Sequence, residues 1–110
     1  MTGDYPQFAK SYTHEHLVEY FLVSEADQQF IAQVRGNINR TSVAILLKSL
    51  QYLGYFPAHL SVVPADVKQF IIRQLSSPED SSQKYSWDSR TRREHFARIR
   101  QYTGFRFPTA

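Results

Sequence analysis

Residues 39–54 read NRTSVAILLKSLQYLG, and this stretch decides the fold. Asn39 or Thr41 starts a helix that runs through Leu53, with Gly54 as its stop and Pro57 beyond. Val43, Leu46, Leu47, Leu50 and Leu53 make one broad apolar face, and Ile45 and Tyr52 carry apolarity around the back. Only Ala44, Lys48 and Gln51 form a narrow polar stripe. A helix apolar nearly all round belongs at the centre of a bundle, so the flanking sequence must supply the helices that cover it.

Upstream, Thr13 caps a first helix to about Val23, with Leu17, Tyr20 and Phe21 at helical spacing. Ser24 with Asp27 resembles a capping box and opens a second helix, whose inner face is Phe30, Ile31 and Val34. Gly36-Asn37 reads as its C-terminal stop. Downstream, Val62 and Val63 suit a short extended piece, and Pro64 suits the first turn of a fourth helix with Val67, Phe70, Ile71 and Leu75 inward. Ser76 to Ser82 is a polar loop. Ser86 or Asp88 caps a fifth helix, which runs to about Tyr102 before Gly104. There is no internal repeat or heptad run. The expected architecture is all-α, a compact bundle of about five helices in a single domain over residues 12–107, with an irregular lead-in at 1–11 and a tail at 108–110.

Composition narrows the function classes. The chain has 110 residues, 42% hydrophobic and 21% charged, enough apolar material for one core and too little net charge for disorder. Cysteine is absent, which removes disulfides and thiolate chemistry and fits a reducing, cytoplasmic setting. The first residues, Met1 to Pro6, have neither the basic nor the apolar region of a secretory signal, so the sequon Asn39-Arg40-Thr41 reads as coincidence. No apolar run approaches the ~20 residues that cross a bilayer, and no membrane role is expected.

An enzyme is not expected either. His14 and His16 point about 200° apart on a helix and cannot share a metal as an i,i+4 pair does. No spacing links His59 to His95. Glu15, Glu19, Glu25 and Asp27 cluster near two helix starts, where they complement the helix dipole. There is no glycine-rich phosphate loop and no serine in a nucleophile elbow, so neither a catalytic residue, a metal nor a cofactor is assigned.

Charge is unevenly spread. Residues 84–110 hold seven Lys/Arg against Asp88 and Glu94, a net +5, while the remainder holds six bases against eight acids, a net −2. A basic C-terminal quarter points to a polyanionic partner. On the fifth helix, Phe96, Ile99 and Tyr102 project to one side and dock, while Arg90, Arg93 and Arg100 gather on the opposite flank, with Arg98 further round. Arg92 and His95 fall at the edge of the docked face. Guanidinium groups are always charged, and their forked donors match phosphate oxygens or a guanine edge. The bland alternative is a solvated face, with the Arg92 stem lying over an aromatic ring.

The stretch Tyr85-Ser86-Trp87, Arg90-Thr91-Arg92-Arg93-Glu94-His95, Ile99-Arg100 and then Gly104-Phe105-Arg106 closely resembles the N-terminal domain of Tn-three-type replicative transposases. Further matches agree in order: Ser24-Glu25, Arg35-Gly36, Asn39-Arg40, Ala44, Leu47-Lys48, Gly54, Phe56-Pro57 and Val63-Pro64. The resemblance covers roughly residues 13–107. It implies a helical module that helps recognise the terminal inverted repeats of a transposon in double-stranded DNA within bacterial cytoplasm, at the nucleoid. Metal-dependent catalysis would lie far downstream in a longer protein, and this chain would be either an excised domain or a truncated copy. The DNA-binding residues it implies, together with the basic helix, are Arg40, Lys48, Arg90, Thr91, Arg92, Arg93, His95, Arg98 and Arg100. Gln51 and Tyr55 stand where the family often has arginine, and Arg98 stands where it often has glutamate.

Two functions follow as expectations. The first is duplex DNA recognition, with the fifth helix contacting DNA, or with the second and third helices acting like a helix-turn-helix. The second is docking against other domains or protomers of a transposase, for which Tyr52, Tyr55, Phe105 and Phe107 are the candidate aromatics.

Overall fold

The computed structural model describes residues 7–76, 84–87 and 89–104. Among the described residues five α-helices follow one another: α1 (His14–Phe21), α2 (Glu25–Ala32), α3 (Asn37–Leu53), α4 (Ala65–Gln74) and α5 (Arg90–Thr103), with a 3-10 turn at Leu60–Val62 between α3 and α4. The described residues contain no strand, and the short extended piece expected at Val62-Val63 is part of that turn and its cap. The fold is the all-α bundle that the patterning of residues 39–54 requires.

α3 is its axis. Every residue from Thr41 to Leu50 is buried, and α1, α2, α4 and α5 all pack against it. Val43, Ile45, Leu46, Leu47 and Leu50 are between 0 and 1% exposed, and each such side chain contributes about 1.5–3 kcal/mol by leaving water. The polar stripe expected on this helix is covered: Ala44 is at 0% exposure and Lys48 at 7%, and only Gln51 faces solvent. Four helices pack around α3, so the stripe is reduced to Gln51 near its C-terminal end.

The helix ends follow local chemistry. The Thr13 hydroxyl accepts from the His16 amide, and Ser24 and Asp27 form a full capping box at the start of α2. Ser89, rather than Ser86 or Asp88, caps α5 by accepting from the Arg92 amide at 3.1 Å. The α2–α3 junction also differs from expectation. α2 ends at Ala32 with Gln33 as its cap, and Gly36, at φ +87°, is the N-cap of α3 instead of the stop of α2. The extra first turn is worth making because Ile38 packs on the core and its carbonyl accepts the Ser42 hydroxyl at 2.7 Å. The lead-in is irregular from Gln7, yet Phe8 lies against Tyr52 at 5.8 Å and the Tyr12 amide donates to Asp66 at 3.2 Å. Most of the loop expected over Ser76 to Ser82 lies outside the described residues, as do Asp88, Phe105, Arg106 and Phe107.

Candidate nucleic-acid interface

α5 is anchored along one side. Ile99 is fully buried, and the Phe96 ring stacks on Phe56 with centroids 3.9 Å apart. Tyr102 stacks on Phe30 of α2 at 4.3 Å and donates its hydroxyl proton to Asp27 at 2.8 Å. His95 is buried too, its Nδ1 2.7 Å from the Tyr85 hydroxyl. Burial holds the His95 imidazole below its ordinary pKa, and the Arg98 charge adds to this against the opposing pull of Glu94. The ring is therefore neutral near pH 7. The Tyr85 phenol, pushed up to about 12 by burial, remains protonated and is the natural donor to Nδ1.

The opposite side of α5 is open. Arg90, Thr91, Arg93, Glu94, Ala97, Arg98 and Gln101 are exposed. Arg90 donates from Nε to Glu94 at 3.1 Å, an i,i+4 pair with side chains 86% and 62% exposed, the kind of contact worth only a few tenths of a kcal/mol. Arg93 has no carboxylate partner among the described residues. Arg98 spans to α2, with its guanidinium 6.0 Å from the Phe30 ring and 3.5 Å from the Gln33 side chain. Arg100 is half-buried beside this surface. A shallow cavity of about 440 Å³ adjoins it, bordered by Asn37, Asn39, Lys84, Ser86 and Thr91.

Three of the expected DNA-contacting residues face elsewhere. Lys48 is an interior residue, its ammonium 3.1 Å from the Asp27 carboxylate, and is corrected to a packing role. His95 is withdrawn from the surface by the contact to Tyr85. Arg40 is committed to the α2–α3 junction, donating from Nη1 to the Val34 carbonyl at 3.0 Å and from Nη2 to Asn37 Oδ1 at 2.6 Å. Arg92 is intermediate: half-buried, it sits 5.0 Å from the Trp87 ring and 5.2 Å from Phe96. α3 is buried from Thr41 to Leu50, which leaves only its two ends, at Asn37 and Gln51, exposed. Lys84 and Arg35 are exposed cations outside the expected set. Lys84 precedes the α5 motif in sequence, beside Tyr85, whose hydroxyl meets His95, and lies with Thr91 along the same cavity.

A helical domain with one anchored and one cationic side on its last helix is the class that fold and surface define. The family model described as "Domain of unknown function (DUF4158)" matches residues 2–110. The transposase for transposon gamma-delta of Escherichia coli (strain K12) is 36% identical over 111 residues, covering 96% of this chain and 11% of its own length. The transposase for transposon Tn501 of Pseudomonas aeruginosa is 32% identical over 90 residues, covering 82% of this chain and 9% of its own length. The transposase for transposon Tn1546 of Enterococcus faecium is 29% identical over 86 residues, with 78% and 9% covered. The chain belongs to the DUF4158 family, which corresponds to the N-terminal region of Tn-three-family transposases. It spans about a tenth of the length of these curated relatives, and the match does not reach their catalytic region. No solved structure matches it. Among the described residues no helix is long and apolar enough to cross a membrane, and no three His, Asp or Glu side chains gather as a metal site.

Proposed function

We propose that the chain is a non-catalytic, duplex-DNA-contacting module that helps recognise the terminal inverted repeats of a transposon during transposition. The observation that carries this reading is the two-sided build of α5. Ile99, Phe96 and Tyr102 fix one side, while Arg90 and Arg93 stand in solvent on the other. A cation on a fixed helix reaches a phosphate without the cost of ordering the backbone beneath it. Lys84, Thr91, Arg98 and Arg100 extend the surface, and the relatives, which are transposases, supply the setting. The role falls to α5 rather than to α3, which is buried from Thr41 to Leu50.

The test is a gel-shift series comparing a transposon-end duplex with a scrambled duplex at two salt concentrations. Wild-type binding is expected to fall linearly in log–log form with salt, and Arg90→Ala with Arg93→Ala to lower that slope by about two. An unchanged slope in the double variant would remove α5 from the interface.

A second reading, docking within a transposition complex, rests on a different surface from the one its aromatics suggested. Tyr52 is inside an aromatic cluster with Phe21, Tyr12 and Tyr20, so it is not offered to a partner. Instead Val18 and Leu22, 40% and 52% exposed, stand with Glu15 and Glu19 on the outward side of α1. An acidic, partly apolar face repels DNA and suits a basic protein segment. Loss of affinity for other transposase domains in Val18→Lys with Leu22→Lys, with DNA binding retained, is the expected outcome.

A further inference from the structure

Residues 84–87 precede α5 and are fastened to it at three successive points. The Tyr85 hydroxyl meets His95 Nδ1 at 2.7 Å. The Ser86 carbonyl accepts the Ser89 hydroxyl at 2.6 Å, and the same Ser89 oxygen caps α5. Trp87 and Phe96 then lie edge to face, with centroids 5.9 Å apart and planes at 78°, and the Arg92 guanidinium occupies the corner between them. Phe56 backs Phe96 and His59 backs Trp87, so both walls of the corner are themselves supported.

Arg92 differs from the other arginines of α5 in what holds it. Among the described residues it has no carboxylate partner, and its buried Nε finds no hydrogen-bond acceptor. Its attractions are to the two ring faces. A guanidinium held by π faces keeps its charge, and its planarity is what lets it fit between perpendicular rings. Leaving Nε without an acceptor is costly in a merely solvated side chain, which would rotate out to water. Here the two rings, and not a hydrogen-bond acceptor on Nε, hold the guanidinium.

We infer that Arg92 is a positioning residue. Through Trp87 it clamps residues 84–87 onto the first turn of α5, and so sets the spatial relation of Lys84 to Arg90 and Arg93, without touching the nucleic acid itself. The clamp rests on the DNA reading above for its purpose, and on the Trp87–Phe96 corner for its existence. Fixed spacing of cations matters for telling one duplex from another, whereas any cation in reach contributes to non-specific affinity. Arg92 therefore acts on discrimination through cations other than itself.

Trp87 is the one tryptophan of the chain, so the corner carries its own probe. The experiment uses Arg92→Met, which keeps an apolar stem, and Arg92→Lys, which keeps the charge but not the plane, in the full chain. Trp87 emission and acrylamide quenching are read without DNA, and binding to transposon-end and scrambled duplexes is read across salt. The expected result in both variants is a shifted Trp87 emission with greater quenching. Affinity for the transposon-end duplex is expected to fall roughly three- to thirty-fold, the range of one cation–π contact, with a smaller loss on the scrambled duplex and a wild-type salt slope. A slope lowered by about one in Arg92→Met would make Arg92 a direct phosphate contact and overturn the inference. Equal losses on both duplexes would mark it as structural only, and would also overturn it. If the wild-type chain binds neither duplex, the DNA reading fails separately, and Trp87 alone decides the clamp: unchanged emission and quenching in both variants would show that no clamp exists.

Discussion

The Lys48 ammonium lies 3.1 Å from the Asp27 carboxylate, with side chains 9% and 6% exposed, so this cation of the central helix is spent inside the bundle. The same carboxylate accepts the Tyr102 hydroxyl at 2.8 Å and the Ser24 amide at 3.3 Å, and thus joins α2, α3 and α5. Removing one partner of a buried pair leaves the other charge stranded. Lys48→Ala is expected to cost about 3–5 kcal/mol in urea unfolding, and Asp27→Asn combined with Lys48→Ala less than the sum of the two single losses. Additive losses would show that the pair is not coupled.

Acid should act on the same group. Burial alone would raise the Asp27 pKa, but hydrogen bonds from Tyr102 and Lys48 and the Lys48 charge outweigh it, and the carboxyl is held below its ordinary 3.8. A depressed carboxyl pKa gives stability that is complete above the unfolded value and lost as pH falls through the folded one. Thermal unfolding below pH 4 is therefore expected to be steeper in the wild type than in Asp27→Asn.

His95 works in a higher window with the opposite group chemistry. Its folded pKa lies below the ordinary 6.5, because burial and then Arg98 disfavour the imidazolium. For a base with a depressed pKa the unfolded chain binds the proton more readily, so stability is complete above about 6.5 and declines as pH falls toward the folded value. A proton NMR titration is expected to place the His95 ring below 6.5. His95→Asn, whose side-chain oxygen can still accept from Tyr85, should flatten the stability profile between pH 7 and 5. A wild-type profile in that variant would assign the slope to another group.

How far the sequence carried is clearest at Asp27 and Lys48. The run from Val43 to Leu53 was enough to place α3 at the centre, and the Ser24–Asp27 spacing was enough to start α2, because both signals are local. Helical spacing put Lys48 beside Ala44 and Gln51 as if on a wet stripe. Its partner is 21 residues away on another helix, and no local pattern encodes that pairing. Asp27 satisfied a capping rule, which hid its second role. On α5 the docked side was legible from Phe96, Ile99 and Tyr102. The place of Arg92 at the edge of that side, over an aromatic ring, was legible too; that one of the rings is Trp87 was not, since Trp87 lies outside the helix. Arg40 likewise stood out as a basic residue of the resemblance, while its structural use depends on the Val34 carbonyl left open at the end of α2.

Gly54 offers a backbone test. It closes α3 at φ +86°, its amide donating to the Leu50 carbonyl at 2.8 Å, and a Cβ there would meet nothing within 4 Å. Any cost of Gly54→Ala is then conformational, about 1 kcal/mol, because an L side chain is disfavoured at that angle. Gly54→Asn should cost less, as asparagine tolerates the left-handed region. Equal losses in calorimetry would point to a steric cause instead.

Lys48 and Arg93 finally separate folding from binding, because both are cations of the same domain in opposite settings. Lys48 is buried against Asp27, whereas Arg93 is exposed on α5 with no carboxylate partner among the described residues. Arg93→Gln removes one solvent-facing charge and should leave the melting temperature nearly unchanged, since surface substitutions usually stay within about 0.5 kcal/mol. It should nevertheless lower the log–log salt slope of duplex binding by about 0.9, the release expected for one phosphate contact. Lys48→Met should do the reverse: it lowers the melting temperature by stranding the Asp27 charge, yet leaves the slope as in the wild type at temperatures where the chain is folded. Calorimetry paired with binding isotherms at three salt concentrations reads both quantities on the same samples. If Lys48→Met lowered the slope and Arg93→Gln did not, DNA would be contacting a face other than the exposed side of α5.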